Sequence, residues 1–447
     1  MKLKYIYKYL IVAFVAVLQC ACTSTEADSK FDQTPIERLN IKEKELNDLL
    51  LSSPEGWKVV YYTDSTQLGG WTHLFKFLPD GKVDMASDFD GDTSTYRSQY
   101  DIQLGSSVGV VFTTANRIHL LSQSDNYPTA ALRGKGYLGD FQFFYYGQEN
   151  GDIIFKTNRN VQELRFVKAK AQDWTDLPKN TPIIEGITGG PTSPLFRLLE
   201  INDGSALHLY DFDFNTNARF GTATSLDPAS NQIYNLALSF TPTGAIAKPA
   251  LVVKGQKLSN FVYDSVSDKF ISTGTGGVSA TIKYTNVPPT LTDDYKILLP
   301  GKIYARFGYY AGDYVEDSPT NSQLFVNELA AINAALPDGV ELASVQVYLN
   351  HSLGNFIYYT FIGRPAVFHY IDVEEDATGK KIILKHKSWN GNPAATAPAF
   401  LANFDKHLIN DNGVYVKKEN FKLGYSNTVY TFTSASSSFR MTAWQLN

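Results

Sequence analysis

From Trp57 onward the sequence alternates. In "HLFKFLPDGKVDM" His73, Phe75 and Phe77 fall on one side of an extended chain, Pro79-Asp80-Gly81 turns it, and Val83 and Met85 resume the pattern. Period-two patterning on either side of a Pro-Asp-Gly turn predicts a β-hairpin. Stretches of the same character follow, "SQYDIQL", "VGVVFTT", "RIHLL", "DFQFFYY", "DIIFKT" and "VQELRFV", with Gly, Asn and Asp between them. Short strands joined by tight turns pair antiparallel, because a parallel pair needs a long crossover connection.

Helices interrupt this pattern in a few places. Thr34 as N-cap, Pro35 at the first helical position and Glu37 closing a capping box predict a helix that carries Leu39, Leu46, Leu49 and Leu50 on one stripe and stops at Pro54 and Gly56. Residues 35–175 thus read as one helix on roughly eight antiparallel strands. Asp176 to Pro194 holds four prolines and three glycines and reads as a linker. Residues 195–447 read as a second β-rich region, with a subdivision suggested near 284–298. It includes helices near 319–336 (Phe325, Leu329, Ile332 and Leu336 on one face) and 399–410 (Phe400, Phe404 and Leu408 inward). No clean internal repeat is visible. The fold class is mainly β with a few helices (α+β), in antiparallel barrel-like or sandwich modules whose end modules carry packed helices.

The N-terminus gives an address. Lys2, Lys4 and Lys8 precede "YLIVAFVAVL", an apolar run too short to cross a bilayer and typical of an export signal. Both cysteines, Cys20 and Cys22, follow directly. Cys22, with Ala21 before it and Leu18 upstream, fits a lipidated residue better than Cys20, which follows Gln19. Residues 1–21 are then a lipoprotein signal peptide and 22–34 a polar tether. Dual acylation, at roughly 0.8 kcal/mol per buried methylene, anchors a protein for good. The alternative is an ordinary secreted chain with two incidental cysteines. Either way the remaining residues contain no cysteine, so no disulfide framework or thiolate chemistry is expected.

A formal charge of −5 without a basic cluster argues against nucleic acid as a partner. Tyr (27) and Phe (28) are abundant, which suits strands first and sugar or peptide recognition second.

Several motifs invite a chemical reading. Gly105-Ser106-Ser107-Val108-Gly109 matches a nucleophile elbow, but a strand rather than a helix follows it. Gly134, Gly136 and Gly139 match a dinucleotide fingerprint and fail for the same reason. Asp88, Asp90 and Asp92 alternate in "DFDGDTSTY", an oxygen pattern that a calcium ion uses; Thr93 and Gln99 stand where a helix-loop-helix calcium site wants Gly and Glu. The competing reading is a solvated acidic loop. Asp211, Asp213 and Asn215 line one face of a strand in the same way, opposite Tyr210, Phe212 and Phe214. The seven histidines show no zinc spacing. In "ARFGYYAGDYVEDSPTN" Tyr309, Tyr310, Asp313 and Tyr314 gather in a Gly-containing connection suited to stacking on a sugar ring or peptide side chain, with Trp71 of "GGWTH" as a second contact. The structural alternative is aromatic cover for the sheet beneath. No catalytic residue is assigned, and no cofactor beyond calcium is expected.

The pieces "ERL", "SSPEGWKVVYY", "GGWTHLFKFLPDGKVDM", "ANRIHLLS" and "GYLGDFQFF", from about Glu37 to Asn160, resemble an uncharacterised outer-membrane lipoprotein family of the Bacteroidota (domain of unknown function family 4302). That resemblance implies a helper in nutrient capture beside Sus-like transporter components, and it carries no catalytic residues. Three readings follow. The first is a lipid-anchored outer-membrane accessory protein, at the cell surface or the periplasmic face, that binds a glycan, a peptide or a transporter partner without catalysis. The second is a hydrolase of glycans or peptides that uses carboxylates assembled by the fold. The third is a purely structural partner of a transporter. A shallow Tyr- or Trp-lined face would favour binding, and a cleft presenting two close carboxylates would favour hydrolysis.

Overall fold

A computed structural model describes residues 34–105, 107–190 and 193–446. Cys22, and with it the lipidation expectation, lies outside the described residues.

Among the described residues twenty-four strands form three closed antiparallel barrels of eight strands each, and within each barrel every strand is hydrogen-bonded to its sequence neighbour. The first barrel runs from β1 (Trp57–Tyr62) to β8 (Glu163–Lys168), with β2 at Gly70–Phe77 and β3 at Lys82–Ser87. The second runs from β9 (Phe196–Asp203) to β16 (Val278–Thr285), and the third from β17 (Ala305–Tyr310) to β24 (Arg440–Leu446). The PDG segment is the expected turn: Gly81 adopts φ +73°, and Phe77 pairs with Val83 across it. β1 closes on β8 through two residue pairs, whereas β9 closes on β16 through eight. Closure leaves no bare sheet edge in any of the three.

The barrels are solid. Phe75 packs on Phe112 and Phe166 with ring centroids 5.3 and 5.1 Å apart, and Phe143 and Phe155 fill the same interior. Eight strands give an interior that side chains can fill, and here aromatic rings do so. Helix α1 (Pro35–Leu51) closes one mouth. Its capping box forms as expected, Leu46 and Leu50 are fully buried, and the Trp57 indole donates to the Leu50 carbonyl at 2.9 Å.

The stretch 176–194, expected as a linker, is largely helical and packed. Helix α2 (Ala171–Asp176), a 3-10 turn (Leu177–Lys179) and helix α3 (Asn180–Thr188) fill it. Two of its prolines start helical turns instead of breaking them: Pro178 opens the 3-10 turn and Pro182 lies in the first turn of α3. Leu177, Ile183 and Ile187 are buried. In the third barrel α4 (Gln323–Ala334) begins after Ser322, whose side chain accepts from the Phe325 amide, so the helix starts later than residue 319. Helix α5 (Ala399–Leu408) buries Leu401, Phe404 and Leu408.

Candidate functional site: the aromatic wall of the third barrel

Because the barrel interiors are filled, a ligand has to meet an outer wall or a junction. On the third barrel the two faces of each strand separate cleanly. Phe307 and Tyr309 of β17, Val345 and Val347 of β18 (Glu341–His351), Ile357 and Tyr359 of β19 (Gly354–Ile362), and Val367 and Ile371 of β20 (Val367–Asp376) point into the core. Their neighbours in sequence point outward.

Those outward residues register across the strands into rungs. Arg306 pairs with Tyr348, Tyr348 with Phe356, and Phe356 with Tyr370. The next rung joins Trp444, Gly308, Gln346, Tyr358 and Phe368. Tyr348 stacks on Phe356 at 4.6 Å, and Tyr358 tilts against Phe368 at the same distance. The Arg306 guanidinium lies 5.5 Å from the Tyr348 ring centre, over its face. Hydroxyls and amides run between the rings: the Tyr348 hydroxyl donates to Gln346 at 3.0 Å, the Gln346 amide donates to Ser344 at 2.8 Å, and Ser344 meets Thr360 at 2.6 Å. The wall is aromatic and hydroxyl-rich; Arg306, Tyr348, Tyr358, Phe368 and Tyr370 are partly exposed, whereas Phe356, Gln346, Ser344 and Trp444 are buried beneath them. Its ionic groups are few: Arg306, and Asp372 paired with Lys387 at 3.2 Å.

At one border the wall continues through Tyr310, Trp444, Tyr425 and Tyr314. Tyr310 and Trp444 lie 6.4 Å apart, Trp444 and Tyr425 5.1 Å, and Tyr425 and Tyr314 5.5 Å. Gly424 makes the last contact possible, since a Cβ there would fall 2.1 Å from the Tyr314 ring. The Asp313 charge beside the Tyr425 hydroxyl raises that phenol above its ordinary pKa, with partial burial adding to the effect. The Trp444 indole N–H is buried and has no hydrogen-bond partner among the described residues.

The structure therefore divides the residues singled out in the sequence. Tyr310, Asp313 and Tyr314 meet at this border. Tyr309 does not: it is fully buried inside the barrel against Phe325, its ring centroid 5.0 Å away. β17 extends through Tyr310, so consecutive tyrosines take opposite faces. Trp71 is also buried, with 1% of its surface exposed, and the Arg219 guanidinium of the second barrel lies over its ring.

The three aspartates do not converge on a cation. Asp88 points into the junction with the second barrel, where its carboxylate accepts from Arg219 at 3.0 Å, the Thr72 amide at 2.8 Å and Asn180 at 2.8 Å. Asp90 pairs with Arg117, and Asp92 accepts from Tyr96 at 2.5 Å. Among the described residues no group of three or more His, Cys, Asp or Glu side chains could hold a metal ion. Asp211 and Asp213 lie on the exposed face of β10 (Leu207–Asn215).

Two histidine clusters in the third barrel escaped the sequence reading because their members lie far apart in the chain. His369 Nδ1 is 2.8 Å from Asp405, which also accepts from Tyr359 at 2.7 Å, and His369 Nε2 meets His386 at 2.8 Å. Burial, followed by the Asp405 charge, pushes the Tyr359 phenol well above its ordinary pKa. His407 links Ser437 at 2.8 Å to Glu328 at 3.4 Å, with its ring stacked on Phe439. It is buried, and burial lowers its pKa. Neither His369 nor His407 borders the aromatic wall's open face.

A family profile described as a domain of unknown function (DUF4302) matches residues 27–265. No curated protein matches the chain. Among solved structures, the DNA polymerase sliding clamp from Bacillus subtilis aligns over 91% of this chain and 97% of its own, at 11% identity and a TM-score of 0.14, which supports no inference about fold or role.

Proposed function

This chain belongs to the DUF4302 family, and we propose that it is a non-catalytic binding component of a nutrient-uptake system, lipid-anchored at the outer membrane through Cys22. Its ligand, an extended glycan or peptide, lies along the outer wall of the third barrel. The observation that carries the reading is the pair of rungs Arg306–Tyr348–Phe356–Tyr370 and Trp444–Gly308–Gln346–Tyr358–Phe368. Of these, the partly exposed Arg306, Tyr348, Tyr358, Phe368 and Tyr370 offer a neutral chain ring faces and phenol hydroxyls side by side. The wall carries no close carboxylate pair of the kind that glycoside hydrolysis requires.

The test is binding of the purified chain to arrays of neutral oligosaccharides and of peptides, followed by titration of the hits against a Tyr358→Ala, Phe368→Ala variant. A hit that the variant loses supports the reading. Binding undisturbed by the variant would overturn it. The anchor is checked separately, by mass spectrometry of the N-terminus of the native protein and by co-purification with transporter components from solubilised membranes.

A further inference from the structure

Between the second and third barrels lies a cavity of about 220 Å³ whose lining differs in kind from the aromatic wall. The second barrel contributes Phe196 and Asp211; the third contributes Arg440, Glu419, Lys417 and Thr431; the Pro288–Thr292 connection closes one side. At about 30 Å³ per water in the liquid, the space holds several waters or one small solute.

The charges in this lining do not cancel locally. Glu419 is occupied, since one oxygen accepts from Thr431 at 2.8 Å and the other pairs with Lys417 at 3.1 Å. Lys380, at the rim, pairs with Asp293 at 3.6 Å. Arg440 is different. Its Nε donates to the Thr320 carbonyl at 2.5 Å and its guanidinium lies 5.8 Å from the Phe196 ring centre. Among the described residues no carboxylate oxygen comes within 4.0 Å of it. Burial lowers its pKa, only partly offset by the Glu419 charge. Across the junction Asp211 likewise has no hydrogen-bond or ion-pair partner among the described residues, and its pKa is raised by burial and by Asp213. An arginine and an aspartate, both unpaired, thus border one small cavity from two different barrels. Arg440 is the more buried of the two, so a ligand carboxylate would supply the counter-charge it lacks, while Asp211, exposed at the outer face of its strand, offers a carboxylate to a ligand ammonium.

We propose that this cavity binds a small zwitterion, a free α-amino acid or dipeptide, with its carboxylate on Arg440 and its ammonium on Asp211. Arg440 is already fixed by Thr320 and Phe196, so it presents its remaining N–H groups without further ordering. The site is distinct from the aromatic wall, and it takes a charged, compact ligand where the wall takes a neutral, extended one.

The experiment is calorimetric titration of the purified chain with Ala-Ala, with its C-terminal amide, with its N-acetyl form and with glucuronate. Blocking the ligand's own charges avoids altering Arg440, which also holds the Thr320 segment. Ala-Ala is expected to bind, with each blocked peptide at least about tenfold weaker, as loss of one charge-assisted contact requires. Asp211→Asn, at a strand's outer face, is expected to weaken Ala-Ala by a similar factor and to leave N-acetyl-Ala-Ala unchanged. Tyr358→Ala, Phe368→Ala is expected to leave Ala-Ala binding intact, which separates this site from the wall. No binding of Ala-Ala up to about 10 mM, equal binding of the blocked forms, or equal binding of glucuronate would each overturn the proposal.

Discussion

Arg219 of the second barrel and Asp88 of the first form an ion pair 3.0 Å apart, with side chains 4% and 1% exposed. The guanidinium also donates to the Asp88 and Gly70 carbonyls and sits between the rings of Trp71 and Phe240. Gly69 permits the approach, since a Cβ there would meet the Leu238 carbonyl at 2.3 Å. Removing one partner strands a buried charge, so Arg219→Met is expected to cost about 3–5 kcal/mol. Urea unfolding checks the size. Asp88→Asn, which retains an acceptor for the Thr72 amide, is expected to cost less.

His73 is fully buried beside the first barrel's aromatic core, and neither ring nitrogen has a partner among the described residues. Burial, reinforced by Arg117 and Arg219, lowers its pKa to about 3. The folded state therefore keeps the imidazole neutral where the unfolded chain, with a pKa near 6.5, takes up a proton. Stability from this residue is fully present above about pH 6.5 and is lost as pH falls toward 3, by at most about 5 kcal/mol. His73→Phe is expected to flatten this part of the pH–stability curve, measured by urea midpoints from pH 7 to 4. An unchanged slope would count against a neutral His73.

Asp405 serves two buried donors in the third barrel, Tyr359 and His369. Asp405→Ala leaves them both without an acceptor and is expected to destabilise by about 2–4 kcal/mol, against about 1 for Tyr359→Phe. Trp389 stacks on His369 with ring centroids 3.9 Å apart, so its fluorescence should report the change.

The wall residues should behave oppositely. Tyr358 and Phe368 are half-exposed on the outer face, so their joint replacement by Ala is expected to lower ligand affinity about tenfold or more, at about 0.5–1.5 kcal/mol per ring beyond area burial. The thermal midpoint should move little compared with Asp405→Ala. Differential scanning calorimetry and ligand titration on the same preparation separate the two effects.

Strand alternation and helix stripes were legible because they are local: Phe75 and Phe77 do share a buried face, and Leu46 and Leu50 do plug a barrel. The mainly β class follows from that. The threefold use of one eight-stranded topology was not legible. Barrel closure joins strands as distant as β9 and β16, and loops of different lengths hide the repeat. Trp71 and Asp88 misled because the residue that claims both, Arg219, lies 131 positions beyond Asp88. The wall was glimpsed only at Tyr310, Asp313 and Tyr314. Its other members are scattered along separate strands and become neighbours only through register, which no single stretch of sequence displays.

The residues shared with the family end at position 265, just past β14 (Gln256–Asp264), while the second barrel is completed by β15 (Lys269–Thr273) and β16. A fragment cut at that point would keep the Arg219–Asp88 clasp but expose two raw flanks, β9 and β14, ready to recruit strands from other copies. The smallest excisable piece that keeps the first two barrels joined is therefore set by where hydrogen bonds come full circle, some twenty residues beyond where sequence likeness stops.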